Sequence, residues 1–200
     1  MIKMKVLYAS SEALPFAASG GLADVAGSLP QALRRRKVAC RVVMPLYGTV
    51  SAELRSKMKF ITCIMVPVSW RRQYCGIFEA NVGGVIYYLI DNEYYFKRNN
   101  LYGHYDDGER FAFFSRAILE ILPYIDFKPN IIHCNDWQTA LVPVYYSTFY
   151  ANREGYTGIK PFSPFITFSI RVNTAAKFSA MFSASARSMS SFSDSATASI

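Results

Sequence analysis

Residues 10–30 read S-S-E-A-L-P-F-A-A-S-G-G-L-A-D-V-A-G-S-L-P, and this stretch decides the fold. The run Lys5–Ala9 before it is short and apolar, with β-branched and aromatic residues, which predicts a buried strand. After the stretch begins, apolar residues recur at three- and four-residue spacing, which predicts a helix with one buried face: Leu22, Val25, Ala26, Leu29 and Leu33. The chain therefore passes from a strand to a helix through a turn at Gly20 and Gly21.

These two glycines leave the main chain without a Cβ where the helix begins. A ligand can approach the backbone closely at such a turn. The first N–H groups of a helix have no intrahelical partner and carry the positive end of its dipole. The turn therefore suits a phosphate group or a sugar hydroxyl.

Outward from this unit, the chain alternates mostly between strands and helices. Cys40–Met44 predicts a second strand, so residues 5–44 form one βαβ unit with parallel strands and a right-handed crossover. Phe60–Val68 and Tyr74–Ala80 predict a hairpin inserted into the pattern, with a polar break at residues 71–73. The other predicted elements are a strand at Val85–Ile90, a helix at Glu109–Leu122, a strand at Asn130–His133 and a helix at Trp137–Tyr150. The alternation is typical of an α/β fold with a doubly wound, parallel sheet.

A loop from Asn92 to Gly108 is dense in tyrosine and charge, reading N-E-Y-Y-F-K-R-N-N-L-Y-G-H-Y-D-D-G. Aromatic hydroxyls beside carboxylates and amides often line a carbohydrate site. The same composition also fits a rigid surface loop whose tyrosines pack on the core. Composition alone leaves both interpretations open.

The charge and cysteine content exclude several classes of protein. The net charge is +8, but the basic residues form no long stripe interleaved with aromatics, so we expect no nucleic-acid partner. The dense run Arg34–Lys37 is typical of the solvated end of a helix, although a polyanion site stays an alternative. The four cysteines show no C-x-x-C pair, which indicates neither a zinc site nor a disulfide framework. No apolar run can span a bilayer and no cleavable leader is visible, so we expect a cytoplasmic protein without a membrane partner.

The composition changes at Pro161. Residues 161–200 contain eleven serines, six phenylalanines and a single acid, Asp194, with no sustained period. Disordered segments are poor in aromatics, so a plain linker fits badly. When residues 161–174 are written as degenerate codons and one base is restored after Lys160, the neighbouring frame permits T-V-F-T-I-H-N-I-Q-Y-Q-G-K-Y. We therefore predict a domain at residues 1–160 followed by a tail, residues 161–200, that is translated out of frame.

Four stretches together resemble one family, the bacterial glycogen synthases and plant starch synthases of glycosyltransferase family five. They are Ser11-Glu12 with P-F-A-A-S-G-G-L-A-D-V-A-G-S-L-P, then R-V-V-M-P-L-Y, L-Y-G-H-Y-D-D-G-E-R-F-A-F-F-S-R-A, and I-I-H-C-N-D-W-Q-T-A-L-V-P. Their order and spacing match across residues 3–160, and the restored T-I-H-N-I-Q-Y-Q-G is similar to the family's next motif. The match is far more specific than a lone glycine-rich loop.

The resemblance implies the N-terminal, Rossmann-like domain of a two-domain GT-B enzyme, with an α/β, doubly wound parallel sheet. Such enzymes transfer glucose from ADP-glucose to the non-reducing end of an α-1,4-glucan, with retention at the anomeric carbon. The expected partners are ADP-glucose and glycogen or another α-1,4-glucan, with no cofactor and no metal. Because the C-terminal domain, which holds most of the donor, is absent from this sequence, we expect the chain alone to be inactive.

The resemblance also implies the site residues. In such enzymes the turn with Ser19, Gly20 and Gly21 lies against the donor, and a tyrosine matching Tyr102 lies near the bound sugar. The full expected substrate-binding set is Ser19, Gly20, Gly21, Asp24, Tyr102, His133, Asp136 and Trp137, with Asp136 also the candidate catalytic residue. A simple helix cap is the alternative for Asp136.

The chain departs from the family pattern at two places. Many members carry a lysine where this chain has Ala18, and Ile166 occupies the place of a histidine that contacts the transferred sugar in relatives. Two other functions stay open. One is a glucan-binding module without chemistry, and the other is a different nucleotide enzyme, which the absence of G-x-G-x-x-G spacing at the first turn argues against.

Overall fold

The computed structural model describes residues 4–163, which form one mixed seven-stranded sheet with helices on both faces. The strands are β1 Lys5–Ala9, β2 Ala39–Pro45, β3 Lys59–Val68, β4 Arg71–Val82, β5 Val85–Asp91, β6 Ile131–Cys134 and β7 Lys160–Phe162. The helices are α1 Gly21–Arg35, α2 Ala52–Ser56, α3 Glu93–Phe96, α4 Asp107–Glu120 and α5 Leu141–Tyr145. Most of the predicted tail, residues 164–200, lies outside the described residues.

The strand order is β3-β4-β5-β2-β1-β6-β7. The five strands from β5 to β7 in that order are parallel, as the βαβ pattern predicts. The predicted hairpin is present as β3 and β4, and it extends the same sheet antiparallel to β5. The α/β class is confirmed, and the sheet is parallel only in the half that carries the glycine-rich turn.

The hairpin turn lies earlier in the chain than predicted. The polar residues 71–73 belong to strand β4, and Val68 pairs with Arg71 across a two-residue turn at Ser69 and Trp70. Ser69 has a φ of +52°, which lets so short a turn reverse the chain. The arginines therefore continue a strand, because their side chains can alternate towards solvent.

Helix α1 packs on one face of the parallel strands through small residues. Ala23, Ala26 and Pro30 are its buried positions, whereas Val25, predicted to face the core, is 50% exposed. A Cβ added at Gly27 would lie 3.0 Å from Leu14 Cβ. The small residues thus let the loop after β1 fold back closely against the helix.

Helix α4 covers the opposite face and is buried almost all round, with nine of its fourteen residues buried. It begins at Asp107, two residues before the predicted start, and ends before Pro123 as predicted. Its Ser115 Oγ donates to Gln138 O, 3.2 Å away, which ties the helix to the segment after β6.

The predicted helix Trp137–Tyr150 is broken into three pieces. A 3₁₀ turn at Trp137–Thr139 precedes α5, and a π-helical turn at Tyr146–Tyr150 follows it. Pro143 lacks an N–H and lies in the first turn of α5, the place where a helix tolerates it. The hydroxyls of Ser147 and Thr148 bond to Val144 O at 3.0 and 2.9 Å, so they compete with the backbone ladder. Within residues 4–163, no helix is long and apolar enough to cross a membrane.

Candidate functional site

Three connections meet at the edge where the parallel strands end. They follow β1 (residues 10–20), β5 (residues 92–106) and β6 (residues 135–140). The hydroxyls of Ser11 and Tyr102 lie 2.7 Å apart and join the first connection to the second. The backbone N and Nδ2 of Asn135 donate to Ala9 O, at 3.0 and 2.9 Å, and join the third to the end of β1. The sequence-predicted stretches therefore form one wall.

The glycine turn lies at the N-terminus of α1 and leaves open space before it. Gly20 has extended backbone, and a Cβ added at either Gly20 or Gly21 would meet no atom within 4 Å. Neither the backbone conformation nor the packing of the described chain demands glycine at these two positions. What the absence of side chains preserves is room for another molecule beside the first N–H groups of the helix.

A buried carboxylate holds this turn in place. Glu12 is only 2% exposed, and its Oε2 accepts a 2.5 Å hydrogen bond from Ser19 N. Ser10 Oγ donates to Glu12 O at 2.7 Å and fixes the backbone of the same residue. No role for Glu12 was predicted from the sequence. It is the only charged residue between Ser10 and Ala23, and an isolated acid in an uncharged ligand loop is the signal that could have identified it.

Tyr102 is the centre of an aromatic cluster behind the turn. Its ring centroid lies 5.8 Å from that of Phe111 and 6.4 Å from that of Trp137, and the latter two rings meet edge-on at 5.0 Å. Burial raises the pKa of the Tyr102 phenol, and the negative charges of Glu12 and Asp136 add to the rise. The phenol is therefore neutral near pH 7 and can both donate and accept a hydrogen bond.

The tyrosines of the loop from Asn92 to Gly108 divide between the core and the surface. Tyr95 is fully buried and packs on Phe113 at 5.0 Å, so it belongs to the core. Tyr102 is half-buried and faces a cleft, whereas Tyr105 is 95% exposed. The loop also contains the short helix α3, whose first turn is capped by the Asn92 side chain accepting from Tyr95 N at 3.1 Å.

Arg110 clamps the loop that carries Tyr102. Its fully buried guanidinium donates from Nε to Tyr95 O at 2.7 Å and from Nη1 to Leu101 O at 3.3 Å. Nη1 also bonds to Asp107 Oδ1 at 2.5 Å, whereas the buried Nη2 has no partner within the described chain. Sequence reasoning missed this residue, because E-R-F reads as an ordinary charged start of an amphipathic helix.

Asp136 has a strained backbone. Its φ of +61° with a ψ of −179° is a region that is almost restricted to glycine, and such strain costs about 1–3 kcal/mol. Its carboxylate accepts from Trp137 N at 2.6 Å, so the capping contact exists. Both Asp136 and Trp137 are exposed, the latter at 48%. They border the wall beside Tyr102.

Two residues of the expected set lie apart from this cluster. His133 lies on β6 between the ring of Tyr8, 4.8 Å away, and that of Phe162, which it stacks on at 5.6 Å. Burial lowers its pKa. Asp24 lies on the exposed first turn of α1, and its side chain forms no hydrogen bond with the described residues.

A cleft of about 420 Å³ opens between the glycine turn and the Tyr102 loop. It is lined by Ala18, Ser19, Thr49, Asn99, Asn100, Leu101 and Tyr102. None of these seven side chains is charged, and five of them carry a hydroxyl or an amide. Such a surface matches a neutral ligand that is rich in hydroxyl groups. Thr49, Asn99 and Asn100 did not stand out in the sequence.

Comparisons with known proteins identify the family of this chain. The family model described as "Starch synthase catalytic domain" matches residues 5–164. The glycogen synthase of Geobacillus thermodenitrificans is 63% identical over 140 residues, which cover 70% of this chain and 29% of that protein. The glycogen synthase of Clostridium kluyveri is 56% identical over 157 residues, which cover 78% of this chain and 33% of that one.

A solved structure is also similar. It is the catalytic domain of starch synthase IV from Arabidopsis thaliana bound to ADP and acarbose, with a TM-score of 0.74 and 31% identity. The match covers 80% of this chain and 33% of that one. The chain thus spans about a third of the length of the curated relatives it matches. With the family model matching most of its length, the chain belongs to the starch synthase catalytic domain family, glycosyltransferase family five.

Proposed function

We propose that this chain is the N-terminal wall of an ADP-glucose-dependent α-1,4-glucan glucosyltransferase of the glycogen synthase type. The observation that carries the proposal is the open space before Gly20 and Gly21 at the N-terminus of α1. Next to it lies an uncharged cleft whose hydroxyl and amide groups can bond to the hydroxyls of a sugar. The similar starch synthase IV was solved with ADP and acarbose, a nucleotide and a glucan-like ligand. The nucleotide suits the glycine turn of this wall, and the glucan-like ligand suits its cleft.

The donor's diphosphate belongs at the glycine turn. Transfer of glucose leaves negative charge on the departing diphosphate and positive character on an oxocarbenium-like sugar. The free N–H groups and dipole at the start of α1 stabilise the first of these charges. Because Ala18 supplies no cation, the remaining neutralisation falls to cations from the rest of the enzyme. In this proposal ADP-glucose is the donor substrate and no cofactor is used.

The glucan acceptor belongs along the cleft and the exposed aromatics. The neutral phenol of Tyr102, fixed by its bond to Ser11, can exchange hydrogen bonds with a sugar hydroxyl. Trp137 offers a partly exposed ring on which a glucose ring can stack. The carboxylate of Asp136 lies beside them and can stabilise the positive charge of the oxocarbenium-like sugar in the transition state. Ser19, Asp24 and His133 complete the proposed substrate set, with His133 set back in the sheet.

The test of the donor position uses two matched glycines. Gly21 and Gly108 each lie in the first turn of a helix, and a Cβ at either would meet open space. Saturation-transfer-difference NMR with ADP-glucose, which detects weak binding, is expected to show donor signals for the wild type and for Gly108→Val. Gly21→Val should fold normally and lose those signals. Equal signals from both variants would contradict the proposal.

A catalytic assay separates this function from a glucan-binding module without chemistry. We expect the 200-residue chain to sediment with glycogen but to transfer no glucose from labelled ADP-glucose, because the chain supplies one side of the site. Fusing residues 1–160 to the whole remaining C-terminal part of a glycogen synthase relative, from the position that aligns with residue 161 onwards, should give incorporation. A fused enzyme that binds glycogen and yet remains inactive would favour the binding module.

A further inference from the structure

Two adjoining clefts lie at the edge of the sheet opposite the glycine turn. One, of about 340 Å³, is formed where β1, β2 and β5 begin, and the other, of about 430 Å³, lies beside the end of α1. Arg34 and Gly84 line both, so the two clefts form one continuous groove. We call it the basic groove. Its combined size is that of a site for a small organic molecule.

The basic groove carries an excess of positive charge. Lys5, Arg34 and Arg41 line the first cleft with one carboxylate, Asp126, and Arg35 lines the second. Within residues 4–163, none of these four cations forms an ion pair. Six other cations of the described chain do form one. Three cations that converge beside a single carboxylate leave a surplus of positive charge, which raises the local potential and favours a bound anion.

The cations are held in place before any ligand arrives. Arg41 Nη1 donates to Tyr88 Oη, and its guanidinium lies 4.7 Å over the ring of Phe127. Lys5 Nζ lies 6.0 Å over that same ring, so two positive charges approach one aromatic surface. Interactions of this kind reduce the entropy that the side chains lose on binding.

Arg34 is positioned by a glycine turn. Gly83 and Gly84 both have positive φ, +57° and +75°, which the turn between β4 and β5 requires. A Cβ at Gly84 would lie 2.8 Å from Arg34 Nη1. The missing side chain therefore lets the guanidinium lie against the turn, at the junction of the two clefts.

The dipole of α1 gives only part of the explanation for these cations. Its C-terminus carries roughly half a unit of negative charge, which Arg34 and Arg35 complement. Lys5 begins β1 and Arg41 is the third residue of β2, so neither lies at the end of the helix and its dipole does not account for them. The surplus charge in the first cleft points to a ligand.

We propose that the basic groove binds a small phosphate-bearing anion. The phosphate lies in the first cleft between Lys5, Arg34 and Arg41, because guanidinium forks match phosphate oxygens and an ammonium adds a point charge. The rest of the molecule extends over Gly84 towards Gln31 and Arg35. The shared chemistry is the phosphate group, whether it comes as free phosphate or as the ester of a small sugar.

Isothermal titration calorimetry of the full 200-residue chain tests this proposal, with inorganic phosphate and ribose 5-phosphate as probes at constant ionic strength. We expect one saturable site for each probe. Lys5 and Arg34 are exposed, so Lys5→Gln and Arg34→Gln should keep the fold, as circular dichroism would verify, and weaken binding roughly tenfold each. Tighter binding of the sugar phosphate would assign an ester to the groove, and equal binding would assign the phosphate group alone.

Two controls keep the outcome decisive. Lys57→Gln removes an exposed cation that follows α2 directly and pairs with Glu53, and it should leave binding unchanged. Repeating the titrations with Gly21→Val, which blocks the helix N-terminus at the other edge of the sheet, isolates the binding that belongs to the basic groove. The proposal is overturned if neither probe saturates, if Lys57→Gln weakens binding as much as Arg34→Gln, or if Gly21→Val alone abolishes it.

Discussion

Replacing Arg110 with methionine tests whether this residue organises the Tyr102 loop. The variant keeps most of the side-chain volume and removes three hydrogen bonds, to Tyr95 O, Leu101 O and Asp107. Hydrogen bonds to charged groups contribute about 1.5–3 kcal/mol each, and the 3.3 Å bond to Leu101 O belongs at the weak end. Losing the unpartnered Nη2 returns about 1–2 kcal/mol, because a buried donor without a partner is itself destabilising. With all three bonds taken at the weak end of that range, the net loss is about 3 kcal/mol, which we expect as the minimum.

Urea unfolding measures this loss directly. The midpoint should fall without a change in slope, and the thermal midpoint should fall by roughly 6–12 °C. Arg116→Met on the same helix is the matched control. Its Nε donates one hydrogen bond to Tyr150 Oη at 3.1 Å and lies 3.7 Å from Glu120 Oε1, so by the same range we expect a smaller loss of about 1.5 kcal/mol. An Arg110→Met variant no less stable than Arg116→Met would refute the clamp.

Three further predictions concern single residues, and a fourth concerns the DNA that encodes the chain. Tyr102→Phe removes the hydrogen bond to Ser11, so it should lower the free energy of unfolding by about 1 kcal/mol. A fluorescence titration should show maltoheptaose binding weakened roughly tenfold, and unchanged binding would remove Tyr102 from the site. In urea unfolding, Asp136→Gly should be more stable than Asp136→Ala by about 1 kcal/mol or more, because only glycine accepts the φ of +61° at this position without strain. Equal stabilities of the two variants would argue against the strain. Burial lowers the pKa of His133, so the unfolded chain takes up the proton more readily than the folded chain. The free energy of unfolding should therefore be greatest above the unfolded pKa of about 6.5 and should fall as the pH decreases below it. His133→Asn should show a smaller fall, and an identical pH profile in that variant would contradict this prediction. Resequencing the DNA around codon 160 should show a missing base after Lys160, and an intact reading frame there would disprove the frameshift.

The elements that local patterns determine were predicted correctly. The strand, glycine turn and helix of residues 5–35 follow from the local spacing of apolar residues, although that spacing wrongly placed Val25 on the buried face of the helix. The break after Trp137 was not foreseen. Pro143 and the hydroxyls around Val144 act on the backbone locally, and they override an apolar pattern that fits one continuous helix.

The site was predictable only in part, because its supporting residues act across the chain. Gly20, Tyr102 and Trp137 stand out in motifs, and the structure brings the tyrosine and tryptophan together. The roles of Glu12 and Arg110 depend on backbone groups that other segments bring to them. No spacing rule identifies a carboxylate that will accept from a particular N–H, so only the folded arrangement reveals them.

The bonds that tie the three connections together also bear on binding kinetics. Ser11 to Tyr102 and Asn135 to Ala9 fix the wall before a ligand arrives. A sugar chain that docks there meets a surface which needs no loop ordering, so the encounter rate is limited by diffusion and orientation rather than by a slow conformational step. Under the proposed function, a movement that encloses the substrate would therefore start outside residues 10–140, because these two bonds hold the wall in one arrangement.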